Sequence, residues 1–229
     1  MNSRPAGASG LSSRRAESFS DGVFAVAITV LVFNLLPIAV ETAGTRQAGV
    51  TTLTPGHLLA HWPAYLAYLV SFLTIGIMWL NHHTVFAAVR RLNRTVLVLN
   101  LLLLLGVVAL PFPTALVADH LNDSAQGKVA AVTYGLVMME ISVCYATTWV
   151  YLNTHARKLG ARREIIASRL DTLRFTAGNG GYVAGTVLAF FWPVAALIVF
   201  GLLAVYYLFE HLPAVSAASD SADGAGEPD

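Results

Sequence analysis

Six apolar stretches alternate with short polar or basic segments along the chain, over 22–40, 57–79, 95–118, 129–152, 173–191 and 193–209. Each is near the ~20 residues a helix needs to cross ~30 Å of hydrocarbon, so the pattern predicts six transmembrane helices. The first run follows Arg14 and Arg15. It is longer than the ~7–15 residues of a signal-peptide core and reads as a retained helix. Pro193 follows Trp192 directly, and a residue before proline avoids helical angles, so the last two spans are expected to form a tight hairpin. Residues 1–13 are small and polar and predict a disordered tail. Residues 14–211 then form one six-helix unit, a single repeat, and 212–229 is an acidic stretch without helical periodicity, expected to be a second disordered tail.

Composition strengthens this picture. Hydrophobic residues make up 56% of the 229-residue chain and charged residues only 12%, where a soluble domain carries roughly 25% charged. The expectation is an all-α membrane protein. Its net charge of +1 conceals an asymmetry: the N-terminus and the loops after spans two and four hold all of the 14 Lys and Arg residues except Arg46 and Lys128. Cytoplasmic loops carry the basic excess, so both termini are expected in the cytoplasm. The same distribution excludes a basic nucleic-acid binder. A single cysteine, Cys144, excludes an internal disulfide or a cysteine-built zinc site. No phosphate loop, catalytic triad or zinc-protease motif is present, so neither an enzyme nor a bound cofactor is expected.

Polar residues inside apolar runs cost about 2.5–3.5 kcal/mol each when charged, and each asks for a partner or a role. Ser20 and Asp21 stand at the start of span one; Trp79, Asn81, His82 and His83 reach the same depth at the end of span two, and Asn93, Arg94 and Asn100 open span three there. Hydrogen bonds from Ser20 and Asp21 to Asn81, His82, His83 or Arg15 follow from that shared depth. The cluster reads as a structural staple, with a zinc or proton-relay site of Asp21, His82 and His83 as the sharper alternative. Adjacent histidines on a helix point about 100° apart, which disfavours a shared metal. Glu140, midway along span four, is either a functional carboxylate or a protonated group bonded to a neighbouring helix. His57, His61 and His120 fall near the outer loops and read as solvated surface.

Along span one, Gly22, Val26, Thr29, Val30, Phe33 and Pro37 share one helical stripe with a single hydroxyl. Around an axis of several copies, Val26 and Phe33 would form hydrophobic constrictions that gate by dewetting, and Thr29 a ring of oxygens able to replace part of an ion's hydration shell. An ordinary packed helix, with Thr29 bonded to its own backbone, accounts for the same pattern. The potassium-filter sequence Thr-Val-Gly-Tyr-Gly is absent. Gly178-Asn179-Gly180-Gly181-Tyr182 lies within a span, and Gly181 and Gly185 read as a small-xxx-small packing pair.

The segment Arg15-Ala-Glu-Ser-Phe19-Ser20-Asp21-Gly22, continuing through Thr29, resembles the first helix of the endosomal/lysosomal potassium channel family (transmembrane protein 175), with its R-x-x-x-F-S-D pattern. Trp79-Leu-Asn81-His82-His83-Thr-Val-Phe86 is similar to the end of the second helix in bacterial members. The resemblance implies a potassium-permeable cation channel in the plasma membrane, a homotetramer whose pore is lined by helix one. It places the constriction at Val26, a transient potassium ion near Thr29, and the next apolar rings at Val30 and Phe33. It also implies that Phe19, Ser20 and Asp21 hold the pore helix through the Trp79, Asn81 and His82 end of helix two. The alternative from a different class is a proton-coupled secondary transporter using Glu140 or a histidine.

Overall fold

The computed structural model describes residues 13–40, 54–87, 92–155 and 169–223, and these are helical, with no strand among them. Helix α1 covers Ser13–Val30 and passes into a 3-10 segment, Leu31–Leu35, before the helix resumes over 36–40. A short α2 (Pro55–Ala60) precedes α3 (Trp62–Ala87). Helices α4 (Arg94–Ala109) and α5 (Pro111–His120) meet at Leu110, whose backbone stays helical. Helix α6 is Gln126–Thr154, α7 is Arg169–Ala189 and α8 is Pro193–Asp223.

Four stretches among the described residues are long and apolar enough to cross a membrane: Ser13–Val40, Trp62–His83, Arg94–His120 and Gln126–Thr154. They correspond to the first four expected spans. The fifth and sixth fall on α7 and α8; within α8, Pro193–Leu208 is a shorter apolar helix. Helix α7 is more polar because it carries Arg169, Asp171, Arg174 and Asn179. The hairpin forms where expected, with α7 ending at Ala189 and α8 starting at Pro193. Its close packing relies on two glycines: a methyl at Gly181 would stand 2.8 Å from Leu203, and one at Gly185 would meet the Phe200 ring.

Three boundaries differ from the sequence reading. Helix α1 begins at Ser13, nine positions ahead of Gly22, so the Phe19-Ser20-Asp21 motif lies inside a helix rather than at its mouth; residues 1–12 lie outside the described residues. Helix α3 runs on to Ala87, carrying Trp79, Asn81, His82 and His83 on its last turns. Helix α8 extends to Asp223, where the sequence reading placed a disordered tail from 212 onward. Ala214, Ala217, Ala218 and Ala222 favour a helix there, against the opposing effect of Pro213, and 224–229 lie outside the described residues.

Helix α6 is central, packing against α4, α5, α7 and α8, while α1 lies against α3 and α4. The main core includes Leu31, Ile75, Leu103, Tyr134, Met138 and Phe200. Polar groups inside it are paired across helices. Ser71 of α3 lies 2.8 Å from the Thr114 hydroxyl of α5 and 3.1 Å from that of Tyr134 on α6. A second, smaller core of Ala16, Val85, Phe86, Val96 and Leu152 closes the end of the bundle where α1 starts and α3 ends, called the basal end below.

Candidate functional site

Helix α1 has two unlike faces. Ala16, Ser20, Phe24, Ala27 and Leu31 recur every three or four residues and are buried. The opposite stripe of Phe19, Gly22, Val26, Thr29, Phe33 and Pro37 is exposed on the single chain; Val26 is 60% and Phe33 59% accessible. Val30 is half-buried at its edge. Helix α4 also exposes an apolar face, Val98, Leu101, Leu105 and Val108, but that face is wholly aliphatic. The α1 stripe differs in holding a glycine, a hydroxyl and a proline.

Thr29 donates its hydroxyl proton to the Val26 carbonyl at 2.8 Å. Its oxygen is thereby left as an acceptor toward the exposed side. The 3-10 segment that follows has a local cause in Pro37. In an α-helix the Phe33 carbonyl would accept from residue 37, and proline has no N–H to give. The Leu36 N–H bonds to the Phe33 carbonyl instead, which is the tighter 3-10 pattern. Asn34 then reaches across to the Pro111 carbonyl at 3.3 Å.

At the basal end the buried face of α1 enters a polar network. Asn100, buried on α4, donates to Ser20 at 3.0 Å and accepts from His82 Nε2 at 2.7 Å. Ser20 in turn donates to the Ala16 carbonyl. Asn100 Oδ1 can only accept, so the His82 proton sits on Nε2. The imidazole is held between Phe24, 5.4 Å away, and Phe86, stacked at 4.1 Å. Beside this, Trp79 donates its indole N–H to Asp21 at 2.9 Å, and Ser13 donates to the Phe86 carbonyl.

Only part of the expected cluster converges. Ser20 and His82 meet through Asn100, and Asp21 meets Trp79. His83 turns away from His82, lies at the surface and pairs with Glu17 at 2.9 Å. Asn81 faces a different space, a small half-open pocket between α3, α6, α7 and α8 lined also by Thr74, Tyr145, Tyr207, Ser142 and Asn179, the last two hydrogen-bonded. Arg15 and Phe19 are exposed, and no ion pair joins Arg15 to Asp21 among the described residues. No group of three metal-ligating side chains occurs among those residues either, so the alternative of Asp21, His82 and His83 as one zinc site fails on geometry. Asn100 and Glu17 are the partners the expected pairings left out; the signal for Asn100 was a lone amide within a run of leucines and valines. Glu140 packs over Gly106 of α4, accepts from the Cys144 thiol at 3.3 Å, and leaves its second oxygen buried without a hydrogen-bond partner among the described residues.

Comparison with known proteins bears on this arrangement. The family model described as endosomal/lysosomal potassium channel TMEM175 matches residues 15–111. A potassium channel of Streptomyces collinus is 42% identical over 202 residues, covering 88% of this chain and 94% of its own. The mouse endosomal/lysosomal proton channel TMEM175 is 38% identical over 101 residues, 44% of this chain and 20% of its own. Among solved structures, the lysosomal potassium-selective channel TMEM175 homolog from Chamaesiphon minutus matches with a TM-score of 0.70 and 33% identity, over 87% of this chain and 98% of its own.

Proposed function

The chain belongs to the endosomal/lysosomal potassium channel TMEM175 family, a family of ion channels rather than enzymes, and we propose from that premise that it conducts potassium through a pore lined by α1. The observation that carries the reading is the exposed α1 stripe, interrupted by Gly22, Thr29 and Pro37, on a helix whose other face is fully committed to its own subunit. In this reading several copies turn the stripe toward a common axis. Four copies fit the sequence resemblance. Val26 and Phe33 then form apolar rings that repel water when narrow, with Val30 beside them. Thr29, its proton already given to the Val26 carbonyl, presents a ring of oxygens that a partly dehydrated potassium ion meets in transit. The chain crosses a plasma membrane six times with both termini in the cytoplasm, α7 and α8 supplying the last two spans. The unit of conduction is 14–211, and the acidic segment after Leu212 is dispensable for folding.

Proton-coupled transport through Glu140 has less support. That carboxyl is packed over Gly106, and the named bacterial relative covering most of the chain is a channel. The test is reconstitution into potassium-loaded liposomes, with flux followed after a proton ionophore is added, then repeated in sodium and with Val26 or Thr29 replaced. Potassium-selective flux that changes with those two residues is the expected result. Saturable flux that needs a proton gradient and disappears in Glu140→Gln would overturn it.

A further inference from the structure

At the end of the bundle opposite the network, two interhelical turns differ in composition and in height. The α5–α6 turn holds Asn122, Asp123 and Ser124. The α7–α8 turn is Phe190-Phe191-Trp192, closed by Pro193, and from Phe175 to Phe209 the chain has no Asp, Glu, Lys, Arg or His. Its three aromatic side chains are all exposed, Trp192 to 65%. The antiparallel register of α6 and α7 sets the relative height of the two turns. Gly135 lies against Thr186, and Ser142 hydrogen-bonds Asn179, so a step of seven residues along α6 matches seven residues back along α7. Four positions beyond Thr186, Phe190 is therefore level with Ala131, whereas α6 continues outward from there to Gln126 before the polar turn begins. At 1.5 Å per residue the aromatic turn sits roughly 7 Å closer to the middle of the bundle.

The backbone of this turn suits an environment poor in water. The Phe190 N–H bonds to the Val187 carbonyl at 3.3 Å, and the Phe191 and Trp192 N–H groups bond to the Leu188 carbonyl at 3.0 and 2.9 Å. Pro193 has no N–H to satisfy, and the Trp192 carbonyl accepts from Ala196 at 3.0 Å. Backbone at membrane depth must be bonded internally in this way. The apolar arm of α8, Pro193–Leu208, is roughly 24 Å long at 1.5 Å per residue, short of the ~30 Å of hydrocarbon, so a hairpin entering from the basal side ends inside the opposite leaflet. The other tryptophans stand at the two ends of the bundle, Trp62 at the start of α3 on this side and Trp79 and Trp149 toward the basal end, the levels at which indole rings gather in membranes. We propose that the α7–α8 turn is a lipid anchor: Phe190, Phe191 and Trp192 insert among the phospholipids of the leaflet opposite the basal end, at the boundary of acyl chains and headgroups, instead of projecting into water. An aromatic ring with one N–H fits that boundary, where one side is apolar and the other wet. The anchor rests on the reading of α7 and α8 as membrane segments and not on conduction along α1.

The test places the full chain in lipid nanodiscs and uses Trp192→Phe to obtain the Trp192 fluorescence by difference. Phosphatidylcholine brominated on the upper part of its acyl chains should quench that component more strongly than phosphatidylcholine brominated near the chain ends, and aqueous iodide should leave it bright. Quenching by iodide would place the turn in water, and a component silent to both quenchers would place it against a second copy of the chain; either result overturns the anchor. Thiol reactivity gives a reading independent of fluorescence. A membrane-impermeant maleimide should label Phe191→Cys roughly tenfold or more slowly than Ser124→Cys in the same nanodiscs, because the attacking thiolate forms in water; equal rates would overturn the proposal. Trp192 lies off the α1 stripe, so potassium flux in liposomes separates this anchor from the channel reading: lipid quenching of Trp192 without any flux supports the anchor and counts against conduction alone.

Discussion

The two halves of α1 are held in opposite ways. From Ser13 to Phe24 the helix is tied by side-chain hydrogen bonds to α3 and α4: Ser13 to the Phe86 carbonyl, Ser20 to Asn100, Asp21 to Trp79, and Glu17 paired with His83. From Val26 outward Asn34 bonds across to the Pro111 carbonyl. Apolar contact resists separation of two helices but does little to resist rotation about their axes, whereas a directional hydrogen bond fixes rotation. A helix that turns one face away from its own subunit has given up half of its packing. Its rotational setting must then come from elsewhere, and here it comes from the basal end.

The strongest way to break this asymmetry is Asn100→Leu, which keeps the volume and strips both the Ser20 and the His82 side chains of a buried partner. Ser20 keeps its bond to the Ala16 carbonyl, while the buried His82 Nε2–H is left without a partner, at a cost of roughly 1–3 kcal/mol. The variant should unfold at a clearly lower temperature in detergent and give less intact oligomer. An unchanged melting temperature would mean that apolar packing alone holds α1. Trp79→Phe retains the ring and removes one hydrogen bond from Asp21, with an expected loss of about 1 kcal/mol in the same measurement. Asp21→Ala probes the same bond from the other side and should lower oligomer yield more than it alters ion preference; normal assembly with altered selectivity would contradict the staple. Smaller again is Glu17→Gln. Its partner His83 is 58% exposed, and ion pairs at such sites contribute about 0–1 kcal/mol. A shift as large as that of Trp79→Phe would show that the pair anchors the helix rather than decorating it.

How legible this was from sequence depends on whether the signal was local. The apolar runs gave the helices, Pro193 gave the hairpin, and Gly181 and Gly185 gave its contact surface, because each feature acts within its own segment or on its chain neighbour. The end of α3 lies beyond the Trp79 that the apolar pattern predicts, for a physical reason. Asn81, His82 and His83 look like a helix leaving the membrane, but the helix continues because His82 and Trp79 find partners on α4 and α1. Asn100 is the hub, yet Ser20 lies eighty positions away from it, and no periodicity encodes that pairing. The 3-10 segment is local too, since it follows from the N–H that Pro37 lacks. How many copies surround an axis is a property of contacts between chains, so it enters through the family and not through any residue of one chain.

The smallest expected change in stability belongs to Thr29→Ala, and for that reason it separates the two halves most sharply. The Thr29 hydroxyl bonds only to its own helix, at the Val26 carbonyl, and alanine is a better helix former than threonine by up to about 0.7 kcal/mol. The variant should therefore assemble and melt like the wild type, or slightly better. Its reversal potential in mixed potassium and sodium should nevertheless shift toward the non-selective value, because a ring of acceptor oxygens has been replaced by methyls. Loss of folding together with selectivity would place Thr29 in the packing of its own subunit. Unchanged reversal potentials would remove it from the conduction path and leave the apolar rings at Val26 and Phe33 to account for any selectivity observed.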